Sequence, residues 1–79
     1  MPRYFFHTVA GDGRREDFEG SDLQDLEQAR LEAIKDARAM MSDAILDGRD
    51  ISSRHMEVCN DLGEILLKVK FKDAVAWEK

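Results

Sequence analysis

The chain is predicted to fold as an α+β domain of order β-β-α-β-β, with one long helix covering one face of a four-stranded antiparallel sheet. Three observations carry this prediction. An aromatic and β-branched run, "RYFFHTV", opens the chain at residues 3–9. A stretch with helical periodicity fills its middle. Two alternating runs, "HMEVCN" and "EILLKVKF", follow on either side of a turn sequence.

The first strand, Arg3 to Val9, is rich in residues that suit a pleated, half-buried surface. Gly11-Asp12-Gly13 then predicts a tight hairpin turn with positive φ angles. The second strand runs from Arg14 to about Glu19. It is short and charged, and Phe18 is its only large apolar residue. Such a composition suits a sheet edge, where charge discourages pairing with another chain.

The helix is the clearest element. Leu26, Ala29, Ala33, Ala37, Met40 and Ala44 recur every three or four residues, and Ile34, Met41 and Ile45 widen the stripe. Two capping boxes overlap at its start, Ser21 with Gln24 and Asp25 with Gln28. Asp25 is the better N-cap because the stripe begins at Leu26. Gly48 is the natural stop. The alanines let the helix axis lie close to a sheet. About 23 residues of helix measure some 34 Å, against about 23 Å for a seven-residue strand, so one end should overhang.

In the third strand Met56 and Val58 face one way, and His55, Glu57 and Cys59 the other. Asn60-Asp61-Leu62-Gly63 reads as a type I turn with Gly63 left-handed. In the fourth strand Ile65, Leu67, Val69 and Phe71 face inward, and Leu66, Lys68 and Lys70 outward. The tail from Asp73 is either a short helix capped by that residue or a frayed segment carrying Trp77. With both hairpins antiparallel and the first strand beside the third, the strand order is 2-1-3-4. Tyr4 and Phe6 then lie under the helix, and Phe5 and His7 on the far face.

Residues 1–79 make one small domain whose stability amounts to a few kcal/mol, about 0.05–0.15 per residue. Its single cysteine excludes an internal disulfide, and no His/Cys group has zinc spacing, so a partner chain is the most available extra support. Twelve Lys plus Arg against 17 Asp plus Glu leave a net charge of −5, which opposes non-specific binding to phosphate backbones. There is no apolar run of about 18 residues and no signal-peptide pattern at the start. The lone thiol fits a reducing, cytoplasmic location.

Several groups could carry chemistry. His7, His55 and Cys59 share the far face by alternation, and a thiol beside imidazole is a nucleophile or metal-ligand pattern. No third orienting group or oxyanion loop accompanies them, so no catalytic, cofactor-binding or metal-binding residue is assigned. The acidic stretch "GDGRREDFEGSD" lacks the calcium-loop signature and reads as a charged turn and edge. Arg3, Arg14, Arg15, Arg49, Arg54, Lys68, Lys70 and Lys72 are interleaved with acids, and only "KVKFK" forms a local basic row. Met40 and Met41 read as core, not as a partner-binding helix face.

One anomaly remains. Phe5, Val9, Cys59 and Leu66, with His7 at the rim, would lie on a sheet face that one helix cannot cover. A contiguous apolar patch marks an interaction surface. The expected role is a non-catalytic protein-interaction module, homodimerising sheet on sheet through this face. The alternatives are a regulatory module that binds a toxin-like protein or nucleic acid, and a Cys/His enzyme or metal site. Trp77 could instead fold back over part of the face.

The succession "MPRYFFH", a Gly-Asp turn, Asp17-Phe18-Glu19-Gly20, the Asp-Leu and Ala-Arg pairs of the helix, "DGRD", and then Glu57-Val58 followed by Asp61 and Gly63 has a wider likeness. It resembles the domain of unknown function 6894 family, small proteins of rhizobia and related soil bacteria. The resemblance covers roughly residues 2–75, and the aromatic opening is its most specific part. It implies an intact single domain. It implies no activity, cofactor or catalytic residue.

Overall fold

The computed structural model describes residues 1–76. Five strands form one antiparallel sheet, and one helix packs on one of its faces. The strands are β1 (Arg3–Ala10), β2 (Gly13–Arg15), β3 (Ser21–Asp22), β4 (His55–Cys59) and β5 (Ile65–Lys70). Helix α1 spans Leu26–Leu46, and a 3-10 turn, Phe71–Ala74, follows β5 directly. The order across the sheet is β2-β1-β4-β5, with β3 also paired to β1. The α+β class, the long helix and the central place of β1 are as expected. The strand count is five instead of four, because the edge strand expected from Arg14 to about Glu19 stops at Arg15 and a second short strand, Ser21–Asp22, follows it.

The break in that edge shows in the register. Thr8 to Ala10 pair with Arg15 to Gly13, whereas Arg3 and Tyr4 pair with Asp22 and Ser21. Residues 16–20 therefore lie opposite only Phe5, Phe6 and His7, so the chain bulges away from the ladder. The turn into this edge also differs from expectation. Ala10 pairs directly with Gly13, leaving two turn residues, and none of Gly11, Asp12 and Gly13 takes a positive φ. A mirror-image turn matches the twist of long paired strands. Here only three pairs follow before the bulge, so the demand on twist is small.

Helix α1 begins where its cap predicts. Asp25 Oδ1 accepts from the Gln28 N–H at 2.9 Å. It ends in a Schellman motif: Arg49 N–H donates to Ala44 O (2.8 Å) and Gly48 N–H to Ile45 O (2.9 Å), with Gly48 at φ +78°. Ala29, Ala33, Ala37 and Ala44 are buried along one stripe. The stripe is narrower than its periodicity implies, because Leu26 and Ile45 are exposed. A 21-residue helix measures about 31 Å and six-residue β5 about 20 Å. The helix overruns the sheet, and Leu26, Ile45 and Leu46 at its ends are exposed.

The core lies between helix and sheet. Tyr4, Met56, Val58, Val69 and Phe71 meet the alanine stripe, with Phe6 and Leu67 partly buried beside them. Tyr4 and Phe6 thus take the helix side. Phe71 is fully buried, although it leads the 3-10 turn and is not part of a strand. Lys70 stands at the N-cap of that turn without a side-chain bond, so the expected cap at Asp73 is not formed. Arg38 Nε donates to Ala74 O at 2.6 Å and ties the turn to the helix. The expectation for Trp77 lies outside the described residues.

Candidate functional site

The far face of the sheet and the bulged edge next to it hold most of the polar side chains singled out by the sequence. In the bulge, Asp17 takes the place of a strand partner. Its Oδ2 accepts from the Phe6 N–H (3.1 Å), and its Oδ1 from the N–H groups of Glu19 (3.2 Å) and Gly20 (3.1 Å). The Asp17 N–H donates to His7 Nδ1 at 3.0 Å. His7 therefore accepts at Nδ1 as a neutral imidazole, with its proton on Nε2. Burial pushes the Asp17 carboxyl up. The N–H groups of Gly20, Phe6 and Glu19 outweigh that and hold it below the usual carboxylate range.

Gly20 closes the bulge at φ +72°. A Cβ there would stand 2.9 Å from Arg3 Cγ and Phe5 Cε1 and 3.0 Å from Tyr4 O, so a side chain at this position forces its neighbours to shift. Arg3 grips Asp22 beyond it, Nε to Oδ1 at 2.9 Å and Nη2 to Oδ2 at 3.2 Å, and so pins β3. His7 thus belongs to a backbone clamp.

The second cluster crosses the far face. His7 on β1 stands opposite Glu57 on β4, which stands opposite Lys68 on β5. Arg14, across from Val9 on β2, reaches over β1 and brings Nη1 to 2.8 Å from Glu57 Oε1. The approach is an ion pair that lacks hydrogen-bond alignment. Glu57 Oε2 faces His55 Nε2 at 3.6 Å and Lys68 Nζ at 4.0 Å. Glu57 is buried while Lys68 stays largely and Arg14 partly in solvent, so the carboxylate is neutralised where it sits. Cys59 is also buried, across from Phe5. Burial raises its thiol pKa; Arg14 lowers it and Glu57 raises it, with a net rise. An activated nucleophile needs the opposite shift.

The residues expected to form an apolar interaction face are thus distributed unevenly. Phe5, His7 and Val9 are half-buried and Leu66 is exposed, but Cys59 contributes almost no surface. Leu66 sits in an irregularity of β5: Val58 pairs with Leu67 while Cys59 pairs with Ile65, so Leu66 has no partner of its own. This shift also carries Ile65 to the side of Cys59, away from the core side expected for it. Among the described residues no three His, Cys, Asp or Glu side chains converge as a metal site requires. Reading the sequence alone misses both Asp17 and the Arg14–Glu57 pair. Asp17 had a signal, since an Asp with Gly three residues on inside a charged strand is how a side chain replaces ladder bonds. Arg14 and Glu57 are far apart in the chain, and only the register joins them.

On the helix side a cleft of about 580 Å³ opens between α1 and the bulge, floored by Phe6 and Met56 and walled by Asp36, Met40 and Phe18. The Asp36 carboxyl is pushed up by burial and by Glu32, with Asp17 adding to the effect and Lys35 opposing it. No helix among the described residues is long and apolar enough to cross a membrane.

Residues 3–72 match the sequence model of a family described as a domain of unknown function, DUF6894. The chain is a DUF6894 domain. The DUF6894 match begins at the first residue of β1 and ends inside the 3-10 turn, so it contains the clamp, the Arg14–Glu57 pair and all five strands. Searches among curated proteins and solved structures found no match to the chain.

Proposed function

We propose that this DUF6894 domain is a non-catalytic protein-interaction module whose contact surface is the open face of its sheet. The observation that carries the reading is the open second face of a two-layer fold. The molecule is only 16 Å thick, and Phe5, His7, Val9 and Leu66 lie on the side without a helix. There His7 bonds the backbone, and Arg14, His55 and Lys68 gather on Glu57. The raised thiol of Cys59 and its burial support a structural role for that residue, and a lone buried thiol fits a reducing, cytoplasmic compartment. A photoreactive residue placed at Val9 or Leu66 is expected to give discrete protein adducts in cells, and one at Lys35 on the helix to give none. Adducts from position 35 alone, or from no position, contradict the reading.

The sheet-on-sheet homodimer expected from the sequence meets an obstacle. Arg14, Lys68 and Lys70 share the face with Glu57, and Glu16 stands 3.8 Å from Arg14, so the three cations outnumber the two carboxylates and the face opposes its own copy. The charge favours an acidic partner. A different observation supports self-association: Ile45, Leu46 and Val75 are exposed beside an open, mainly apolar groove of about 490 Å³ that Met41 and Ile51 also line. A dimer formed there leaves the sheet face free. Light scattering over a dilution series tests it. A concentration-dependent dimer weakened by Leu46→Glu is expected, and a monomer at every concentration contradicts it.

A further inference from the structure

The outer edge of β5 combines unpaired backbone with a row of lysines. Phe71 N–H donates to Arg54 O at 3.0 Å, so that pair bonds inward, toward β4. Antiparallel alternation then makes Met56–Val69 and Val58–Leu67 the inward-bonding pairs. The N–H and C=O groups of Lys68 and Lys70 point the other way, off the edge. The opposite side of the sheet gives the same phase, since Phe6 donates to Asp17 and not to its β4 neighbour Val58. Among the described residues β5 pairs with β4 alone.

The side chains set which strand can join this edge. Lys68 and Lys70 lie on the far face, and Lys72 follows in the 3-10 turn. Among the described residues, no carboxylate of the chain comes within salt-bridge distance of Lys70 or Lys72. Lys68 reaches Glu57 only at 4.0 Å, and Arg14 already holds that carboxylate. Toward the helix, Leu67 is half-buried and Val69 buried.

A second copy of β5 is a poor occupant. Antiparallel pairing of the regular segment about Lys68 sets Lys68 against Lys68, and pairing about Val69 sets Lys68 against Lys70 twice. Like charges directly opposite destabilise a ladder. Pairing about Leu67 brings Lys68 opposite the irregular Leu66. Lysine on an edge guards it by charge, and such a guard admits a strand of opposite charge.

We propose that the outer edge of β5 takes up an extended acidic segment of a partner protein as an added strand, with carboxylates beside Lys68 and Lys70 and apolar residues beside Leu67. Affinity comes from the ladder bonds and selectivity from the alternate side chains. The proposal rests on the interaction-module reading and names the partner's chemistry.

The test uses the isotope-labelled chain and a ten-residue peptide alternating Glu with Val. A scrambled peptide of the same composition and a single-stranded DNA oligonucleotide serve as controls. The alternating peptide is expected to slow amide exchange at Lys68 and Lys70 at least tenfold. Lys68→Glu with Lys70→Glu is expected to weaken its binding at least tenfold, while Lys35→Glu leaves it unchanged. Three results overturn the proposal: no protection; equal binding of scrambled peptide or oligonucleotide; or protection at these amides in the free chain that disappears on dilution, which assigns the edge to a second copy. Any of these, obtained alongside adducts at Val9 and Leu66, removes the edge proposal and leaves the interaction module standing.

Discussion

The two edges of the sheet satisfy their backbones in opposite ways. At the β2–β3 edge the chain bulges out for five residues, and side chains take over the ladder: Asp17 receives three N–H groups, and His7 receives the N–H of Asp17. At the β5 edge no described residue replaces the missing partner, and Lys68 and Lys70 stand guard. The difference teaches that charge composition alone does not identify a protected edge. Both edges are charged in sequence, but at one the charge is consumed by the backbone and at the other it remains available.

The largest effect should come from breaking the sealed edge at Gly20. Gly20→Ala forces a side chain into a positive-φ position with neighbours at 2.9 Å. A loss of about 2–3 kcal/mol is expected in urea unfolding. The same substitution at Gly48, which has open space around it, should cost about half as much.

Asp17→Asn sharpens the comparison by removing charge while keeping the shape. It sets an NH₂ against backbone donors, and a loss of about 1–2 kcal/mol is expected. The pH profile identifies the cause. Because the folded carboxyl lies below its unfolded value, its stabilisation is full above the unfolded pKa and disappears as pH falls through the folded one. The native chain should therefore lose stability on that acid limb, and Asp17→Asn should flatten it.

Glu57→Gln comes next. It leaves Arg14 free to solvent and removes the counter-charge of Lys68, at a cost of about 1 kcal/mol, since Arg14 is already part-exposed. The thiol of Cys59 also loses a neighbouring negative charge, so its titration should move down. Asp36→Asn should have the smallest effect, a change within about 0.5 kcal/mol. Its sign is opposite to that of Asp17: a carboxyl raised by folding destabilises once ionised, so the amide should be neutral or stabilising as pH rises through the folded value.

Much of the fold was legible because local signals agreed. The Asp25 cap, the alanine stripe, the Gly48 stop and the alternation of β4 each specify structure within a few residues. The edge strand expected from Arg14 to about Glu19 is broken by the bulge because alternation and charge say nothing about an Asp that bonds the backbone itself. Leu26 and Ile45 were placed in the core because periodicity records direction and not where the sheet ends beneath the helix. The face around Phe5 was read as bare because Arg14 reaches it from β2 across β1, and only the register reveals such a contact.

The contrast between a sealed and an open edge is tested most directly by native-state amide exchange on the free chain. The Phe6 amide, which has no strand partner on its side, is expected to be protected by Asp17, and the Lys68 and Lys70 amides to exchange like exposed backbone. Fast exchange at Phe6, or concentration-independent protection at Lys68 and Lys70, contradicts it.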